Sequence, residues 1–178
     1  MFRPVYWYHG NLKLPDNQVD QVIAELKRLG KELIVRDENI SSFHFKQHSR
    51  PDKIWRNTYS ELVEDITKSV GIYSECKYYY DYWSQVYLPK QHRGAHNHLS
   101  PPTYICFVHF IRPGKDKNFK FIDGDGKDYT PEQQNEGDIL CFPPFMWHRV
   151  APVLEERFVV AGNIAITHIN YLHSKAHP

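Results

Sequence analysis

Cysteine is scarce in this chain. Its 178 residues hold three, Cys76, Cys106 and Cys141. They are odd in number, far apart and never spaced as C-x-x-C, which argues against a disulfide framework or a thiolate metal cluster. Each lies in an apolar, strand-like context, so the expectation is buried free thiols in a reducing compartment. Charge of one sign is lacking too. Lys and Arg number 22 against 21 Asp and Glu, a formal net charge of +1. Nothing here draws nucleic acid or another polyanion by bulk attraction. No apolar run approaches membrane-spanning length, and the N-terminus carries no apolar signal segment. Internal repeats and low-complexity tracts are also missing. These absences point to a soluble, cytoplasmic protein whose length suits one domain with a sizeable core. What is abundant is aromatic: 12 Tyr, 10 Phe and 4 Trp. That favours strands and a cleft with flat walls.

Periodicity orders the chain. Phe2 to His9 is β-prone, although Pro4 weakens a strand there. Pro15-Asp16 opens a helix in which Val19, Val22, Ile23, Leu26 and Leu29 recur at helical spacing, with Gly30 as the stop. Lys31 to Ile40 reads as a short strand and turn. Ser41 to Trp55 is basic and polar, holds His44 and His48, and reads as a mobile surface segment or lid. Thr58-Tyr59-Ser60-Glu61 matches a capping box, and Leu62, Val63, Ile66 and Val70 form a second helical stripe closed by Gly71.

From Cys76 the period changes to two. Tyr78, Tyr80, Tyr82, Ser84, Val86 and Leu88 fall on one face of a long strand; Tyr79, Asp81, Trp83, Gln85 and Tyr87 fall on the other. Further strands are expected at the H-x-H site, Thr103 to Ile111, Phe119 to Ile122, Asp138 to Phe142, Trp147 to Val150 and Arg157 to Thr167. Ser100-Pro101-Pro102 breaks the chain between two of them. Helices first, then at least seven strands, give an α+β, mainly β chain with a barrel or jelly-roll body. The expected organisation is one domain over 1–178. It comprises a helical support region (1–75), a β core (76–167) and a tail (168–178) that carries His173 and His177.

Two histidine sites stand out within this order. One is His96-Asn97-His98; the other is His148, after Phe142-Pro143-Pro144-Phe145-Met146-Trp147. In an extended strand, residues i and i+2 share a face, so His96 and His98 leave the same side. His148, arriving from an adjacent strand, would complete three ligands on one face of a metal. Three protein ligands leave positions open for substrate and oxygen, as non-haem iron chemistry requires.

These pieces, in their order, resemble a small iron(II)/2-oxoglutarate-dependent oxygenase. The elements are Trp83, His96-Asn97-His98, the apolar run Tyr104 to Phe110, and Phe121-Ile122-Asp123. Gly137, Phe142-Pro143, His148, Arg157 and Asn163 complete them. They cover roughly half the chain. The resemblance implies a double-stranded β-helix, with N-terminal helices supporting one sheet. It also implies Fe(II) and 2-oxoglutarate as cofactors, O2 as co-substrate, and hydroxylation of a small-molecule or peptide substrate. Arg157 would hold the far carboxylate of 2-oxoglutarate, because a guanidinium fork suits a carboxylate and a charge among Phe158, Val159, Val160 and Ala161 wants a partner. Glu155 or Glu156 could pair it instead. Tyr104 could add a hydroxyl to the same carboxylate, and Gln85 with Trp83 could line the cleft.

One position departs from the family's common His-x-Asp or His-x-Glu. His98 could be a third neutral ligand, could face a vacant position, or could stand behind an acid supplied by Asp123, itself a turn residue by context. Three imidazoles on Fe(II) with a dianionic 2-oxoglutarate make a neutral complex, which a site shielded from water favours. Other readings stay open. The spacing from Gly137 to Pro143 to His148 approximates the second cupin motif, so a cupin-like three-His dioxygenase or isomerase that uses no 2-oxoglutarate is one. A non-catalytic ligand-binding barrel is another.

Overall fold

A computed structural model gives the architecture of the protein, and it describes residues 3–30, 39–71, 76–99 and 103–169. In chain order the elements are β1 (Trp7–Asn11), α1 (Asp16–Gly30), β2 (Ile40–Ser41), α2 (Arg56–Ser69), β3 (Cys76–Tyr87), β4 (Arg93–His96), β5 (Thr103–Arg112), β6 (Phe119–Ile122), β7 (Asp128–Tyr129), β8 (Asp138–Phe142), β9 (His148–Val150) and β10 (Arg157–Ile169). Three short 3₁₀ turns lie between β2 and α2. The strands form two antiparallel sheets. One has six strands in the order β1-β8-β5-β10-β3-β2, and the other has four in the order β4-β9-β6-β7. This is the expected double-stranded β-helix, built as two sheets that do not close into a barrel.

The period of two sorts side chains to the two faces of the six-stranded sheet. On β5, Ile105, Phe107 and Ile111 join one core, with Val19, Val22, Ile23 and Leu26 of α1 and Tyr59, Leu62, Val63 and Ile66 of α2. Cys106, Val108 and Phe110 point the other way, into a second core shared with Phe119, Phe121, Phe142 and Met146. On β10, Phe158, Val160 and Ile164 face the helices, while Val159 faces the inter-sheet core. The residues in step with Val159, namely Arg157, Ala161 and Asn163, therefore aim between the sheets. Gly162 is where β10 must stay bare: a Cβ there would come within 2.3 Å of the Phe107 ring.

Several expectations need correction. β1 begins at Trp7 and runs on to Asn11 rather than ending at His9, because Pro4 stands ahead of the ladder. α2 begins at Arg56, two residues before Thr58, with no side-chain cap. The 3₁₀ turn Pro51–Trp55 runs straight into it, so a capping hydroxyl is not required. Val70 lies past the helix end and is exposed. β10 continues to Ile169, two residues into the expected tail. β7 was not expected at all. The strand foreseen over Lys31 to Ile40 falls mostly outside the described residues, as do Ser100-Pro101-Pro102, His173 and His177.

The segment between β2 and α2 is pinned rather than mobile. Asp52 is buried and accepts from the Ser42 hydroxyl and, at 2.8 Å, from the Ser84 backbone N–H. Arg50 donates to Asp81 (2.7 Å) and to the Tyr82 carbonyl (3.0 Å). Buried polar groups hold their places only when so paired, and the partners on β3 lie some thirty residues away in sequence, beyond any local pattern. His44 and His48 remain exposed on this segment.

A second buried polar link crosses the helix-side core. His109 is fully buried; its Nε2–H donates to the Leu12 carbonyl at 2.7 Å, and its Nδ1 accepts from the Tyr59 hydroxyl at 2.9 Å. Both bonds fix the neutral tautomer. Burial pulls its pKa down to about 4, against the opposing hydrogen bond to Leu12. The unfolded chain, with its imidazole near 6.5, binds the proton more readily, so this stability is complete above about pH 6.5 and is lost as pH falls toward 4. The loss attributable to His109 is roughly 3 kcal/mol. Urea unfolding of the metal-free protein at pH 7.5 and pH 5 checks it: His109→Gln is expected to shrink the drop in stability between the two. An unchanged drop would mean that His109 does not carry it.

Candidate metal centre and anion pocket

The four-stranded sheet brings two of the three histidines together. β4 pairs with β9, and His96 lies directly opposite His148. β4 ends at His96, so His98 is not placed by a continuous strand. Its backbone N–H instead donates to the Pro144 carbonyl at 2.8 Å, and Asn97 turns the chain by accepting from the Leu99 N–H. The Pro143-Pro144 turn thus does for His98 what the ladder does for His96. The ring centroids lie 4.3 Å (His96–His148), 5.4 Å (His96–His98) and 5.2 Å (His98–His148) apart. One ligand nitrogen from each falls within 4.8 Å of the others, a spacing one metal ion can span.

The tautomers suit ligation. Nδ1–H of His96 donates to the Gly94 carbonyl (2.8 Å), and Nδ1–H of His148 donates to the Met146 carbonyl (3.0 Å). A carbonyl can only accept, so each ring keeps the lone pair on Nε2 for a metal. Burial pulls His98 down to about 4, with His96 and Arg93 adding to the effect and a hydrogen bond with the Asn163 side chain opposing it. Burial and the neighbouring His96 bring His148 to about 3. Both imidazoles are therefore neutral at neutral pH, the state in which they ligate. Trp83 stacks on His98 at 6.2 Å, and Phe142 packs edge-on against His148 at 4.9 Å.

No carboxylate belongs to this group, which is the one such cluster among the described residues. Asp123 is a turn residue: its Oδ1 accepts from the N–H groups of Asp125 and Lys127, both at 2.9 Å.

A narrow cavity runs from the histidines to Arg157 and is lined by Trp83, Gln85 and Val159 among others. Arg157 is 1% exposed, and its Nε, Nη1 and Nη2 find no hydrogen-bond acceptor among the described residues. The two acids beside it in sequence are taken elsewhere, Glu155 by the Lys115 backbone and Glu156 by Lys27. Two aromatic rings lie against the guanidinium, Phe110 at 5.4 Å and Tyr87 at 5.8 Å. Burial lowers its pKa to about 10, partly offset by Tyr87, so the charge persists at neutral pH.

Gln85 lines this cavity as expected, its Oε1 accepting from the Tyr87 hydroxyl at 3.1 Å. Tyr104 does not: it is 55% exposed at the start of β5. Phe110, which touches Arg157, lies six residues further on, roughly 20 Å along an extended strand. The phenol beside Arg157 is that of Tyr87. Tyr87 and Asn163 were named in the sequence without a role at the site; the signal for one was the shared face with Gln85 on β3 and for the other the shared face with Arg157 on β10.

No protein-family model and no curated protein sequence matches this chain. Solved structures do match in fold. A prolyl-4-hydroxylase from Pseudomonas putida aligns with a TM-score of 0.62 at 14% identity, over 92% of this chain and 93% of that one. AviO1 from Streptomyces viridochromogenes Tue57 gives 0.64 at 12% identity, over 92% and 90%. A viral collagen prolyl hydroxylase from Paramecium Bursaria Chlorella virus-1, solved as its 2OG complex, gives 0.57 at 13% identity, over 92% and 96%.

The geometry of the histidines yields a direct expectation. His98→Ala should weaken Fe(II) by more than the roughly 10–100-fold that loss of a mere orienting partner costs. Asp123→Ala should leave it unchanged, and His98→Asp should still bind. Anaerobic Fe(II) titration reads all three. Loss of metal in Asp123→Ala with retention in His98→Ala would move the third ligand to Asp123.

Proposed function

We propose that the protein is an Fe(II)- and 2-oxoglutarate-dependent oxygenase, a hydroxylase by reaction type. The observation that carries this reading is Arg157, a buried cation with three unsatisfied nitrogens, in one cavity with three neutral imidazoles. An unpaired charge costs several kcal/mol to bury, and a carboxylate received in the cavity offsets that cost. A ligand with a metal-chelating keto acid at one end and a carboxylate at the other fits both features at once. Likeness of fold to a hydroxylase solved with 2OG supports the same assignment.

In this reading His96, His98 and His148 hold the iron. Arg157 binds and orients the far carboxylate of 2-oxoglutarate through its planar fork. Phe110 and Tyr87 exclude water from that pair, which strengthens it. Gln85 and Trp83 line the approach to the histidines. When bound there, iron with 2-oxoglutarate and O2 would supply the oxidising chemistry for hydroxylation of an unactivated C–H bond, with succinate and carbon dioxide as co-products. The primary substrate would enter past Trp83 and be a small molecule or a peptide, as in the structural neighbour solved with a hypoxia inducible factor peptide fragment. We place the enzyme in the cytoplasm, supported by the free buried thiols of Cys106 and Cys141.

The carboxylate-free ligand group also suits a second reading, a cupin-like three-His dioxygenase or isomerase that needs no 2-oxoglutarate. Arg157 separates the two. Truncating one partner of a desolvated charge pair costs about 2–5 kcal/mol, so Arg157→Ala should weaken 2-oxoglutarate roughly 30-fold or more. The check is the 2-oxoglutarate dependence of succinate formation after anaerobic reconstitution with iron. Unchanged dependence in Arg157→Ala would favour the cupin-like reading, and a protein that takes up no iron would be a non-catalytic barrel.

A further inference from the structure

A broad hollow lies away from the histidines. It measures about 470 Å³ and runs along Tyr78 to Tyr82 of β3. Residues of both strand faces line it, Tyr78, Tyr80 and Tyr82 from one and Tyr79 and Asp81 from the other. A hollow lined by both faces sits at the edge of the strand.

That edge is half closed. On its outer side β3 pairs with β2 only at Gln85 and Val86. The Ser84 N–H is taken by Asp52 and Ser42, and the Tyr82 carbonyl by Arg50. In an antiparallel strand the N–H and C=O of one residue point to the same side, and alternate residues repeat that direction. Tyr78 and Tyr80 are in step with Tyr82 and Ser84, so their N–H and C=O groups also point outward. No described residue takes them up. Such an edge pairs readily with another extended backbone.

The charge left over beside it is positive. Both carboxylates of the groove are committed, Asp52 to Ser42 and Ser84, and Asp81 to Arg50 at 2.7 Å. Lys53 and Arg56 line the same groove and are exposed; Lys53 donates to the His48 carbonyl at 3.0 Å, and neither is paired with a carboxylate among the described residues.

We propose that this open edge of β3 is a docking surface for an acidic, extended peptide segment of a partner protein. The segment adds as a strand against Tyr78 and Tyr80 and places its carboxylates on Lys53 and Arg56. Backbone pairing supplies affinity and the two cations supply selection. The alternation of donors and acceptors along the edge matches another peptide backbone and not a nucleic acid strand. The inference is independent of the metal chemistry.

The test uses the full chain, ¹⁵N-labelled, and a fluorescent octapeptide of alternating glutamate and threonine. Three comparison probes accompany it: the same peptide with alternate amides N-methylated, a lysine–threonine octapeptide, and an octathymidylate. The glutamate peptide is expected to bind and to slow exchange of the Tyr78 and Tyr80 amides. The double variant Lys53→Ala/Arg56→Ala should weaken it ~tenfold, both side chains being exposed and dispensable for packing. The N-methylated copy should fail to bind. The proposal is overturned by no binding, by equal binding of the N-methylated or lysine peptide, or by tighter binding of octathymidylate. It is overturned equally if the Tyr78 and Tyr80 amides are already fully protected in the free protein, since the edge is then closed.

Discussion

A single buried charge sets the terms of this structure. Arg157 sits 1% exposed at the head of the central strand β10, and none of its three nitrogens finds an acceptor among the described residues. Removing a guanidinium from water costs several kcal/mol unless something replaces the lost hydration. The rings of Tyr87 and Phe110 offset only part of that. The rest is not offset among the described residues, and the cavity joins the guanidinium to the three histidines. His96 and His148 lie on the four-stranded sheet and Arg157 on the six-stranded one, so in the proposed reading the spacing of the two sheets fixes the length of molecule that can bridge them.

The β10 strand can tolerate this burden because both neighbours brace it. It pairs with β3 along twelve residues and with β5 on its other side. Its even-numbered residues bury Phe158, Val160 and Ile164 against the helices. Two cores, one on each face, therefore oppose any slip, since a shift of one residue would drive Arg157 into the helix-side core and turn its large apolar neighbours into the space between the sheets. Stability concentrated in that ladder is what holds a costly side chain inside the cavity.

Much of this was legible in the sequence because it is periodic. α1 spans Asp16–Gly30 as its apolar spacing and terminal glycine foretold. The faces of β3 sort as the alternation said, with Trp83, Gln85 and Tyr87 all lining the cavity. His96, His98 and His148 converge, and Arg157 lies in the same cavity. What escaped was long-range. Arg50 and Asp52 looked like solvated loop charges because their partners, Asp81 and Ser84, lie some thirty residues away. Tyr104 was offered for the carboxylate and Tyr87 was given no role, because proximity to Arg157 depends on register across the sheet, which positions along the chain do not reveal. The role of Asn163 was hidden for the same reason. His98 lies beyond the end of β4 and turns inward on a backbone hydrogen bond to Pro144, which no alternation could reveal.

The central claim is that Arg157 and the histidines bind the two ends of one molecule. If so, metal and 2-oxoglutarate must each raise the other's affinity by the same factor. Anaerobic calorimetry of 2-oxoglutarate, with and without Fe(II), measures that coupling. The expected result is binding at least ~100-fold tighter with iron present, and no such gain for glutarate, which carries the far carboxylate but lacks the keto group. Equal affinity for 2-oxoglutarate with and without metal would contradict the claim, since the two halves of the cavity would then be serving different ligands.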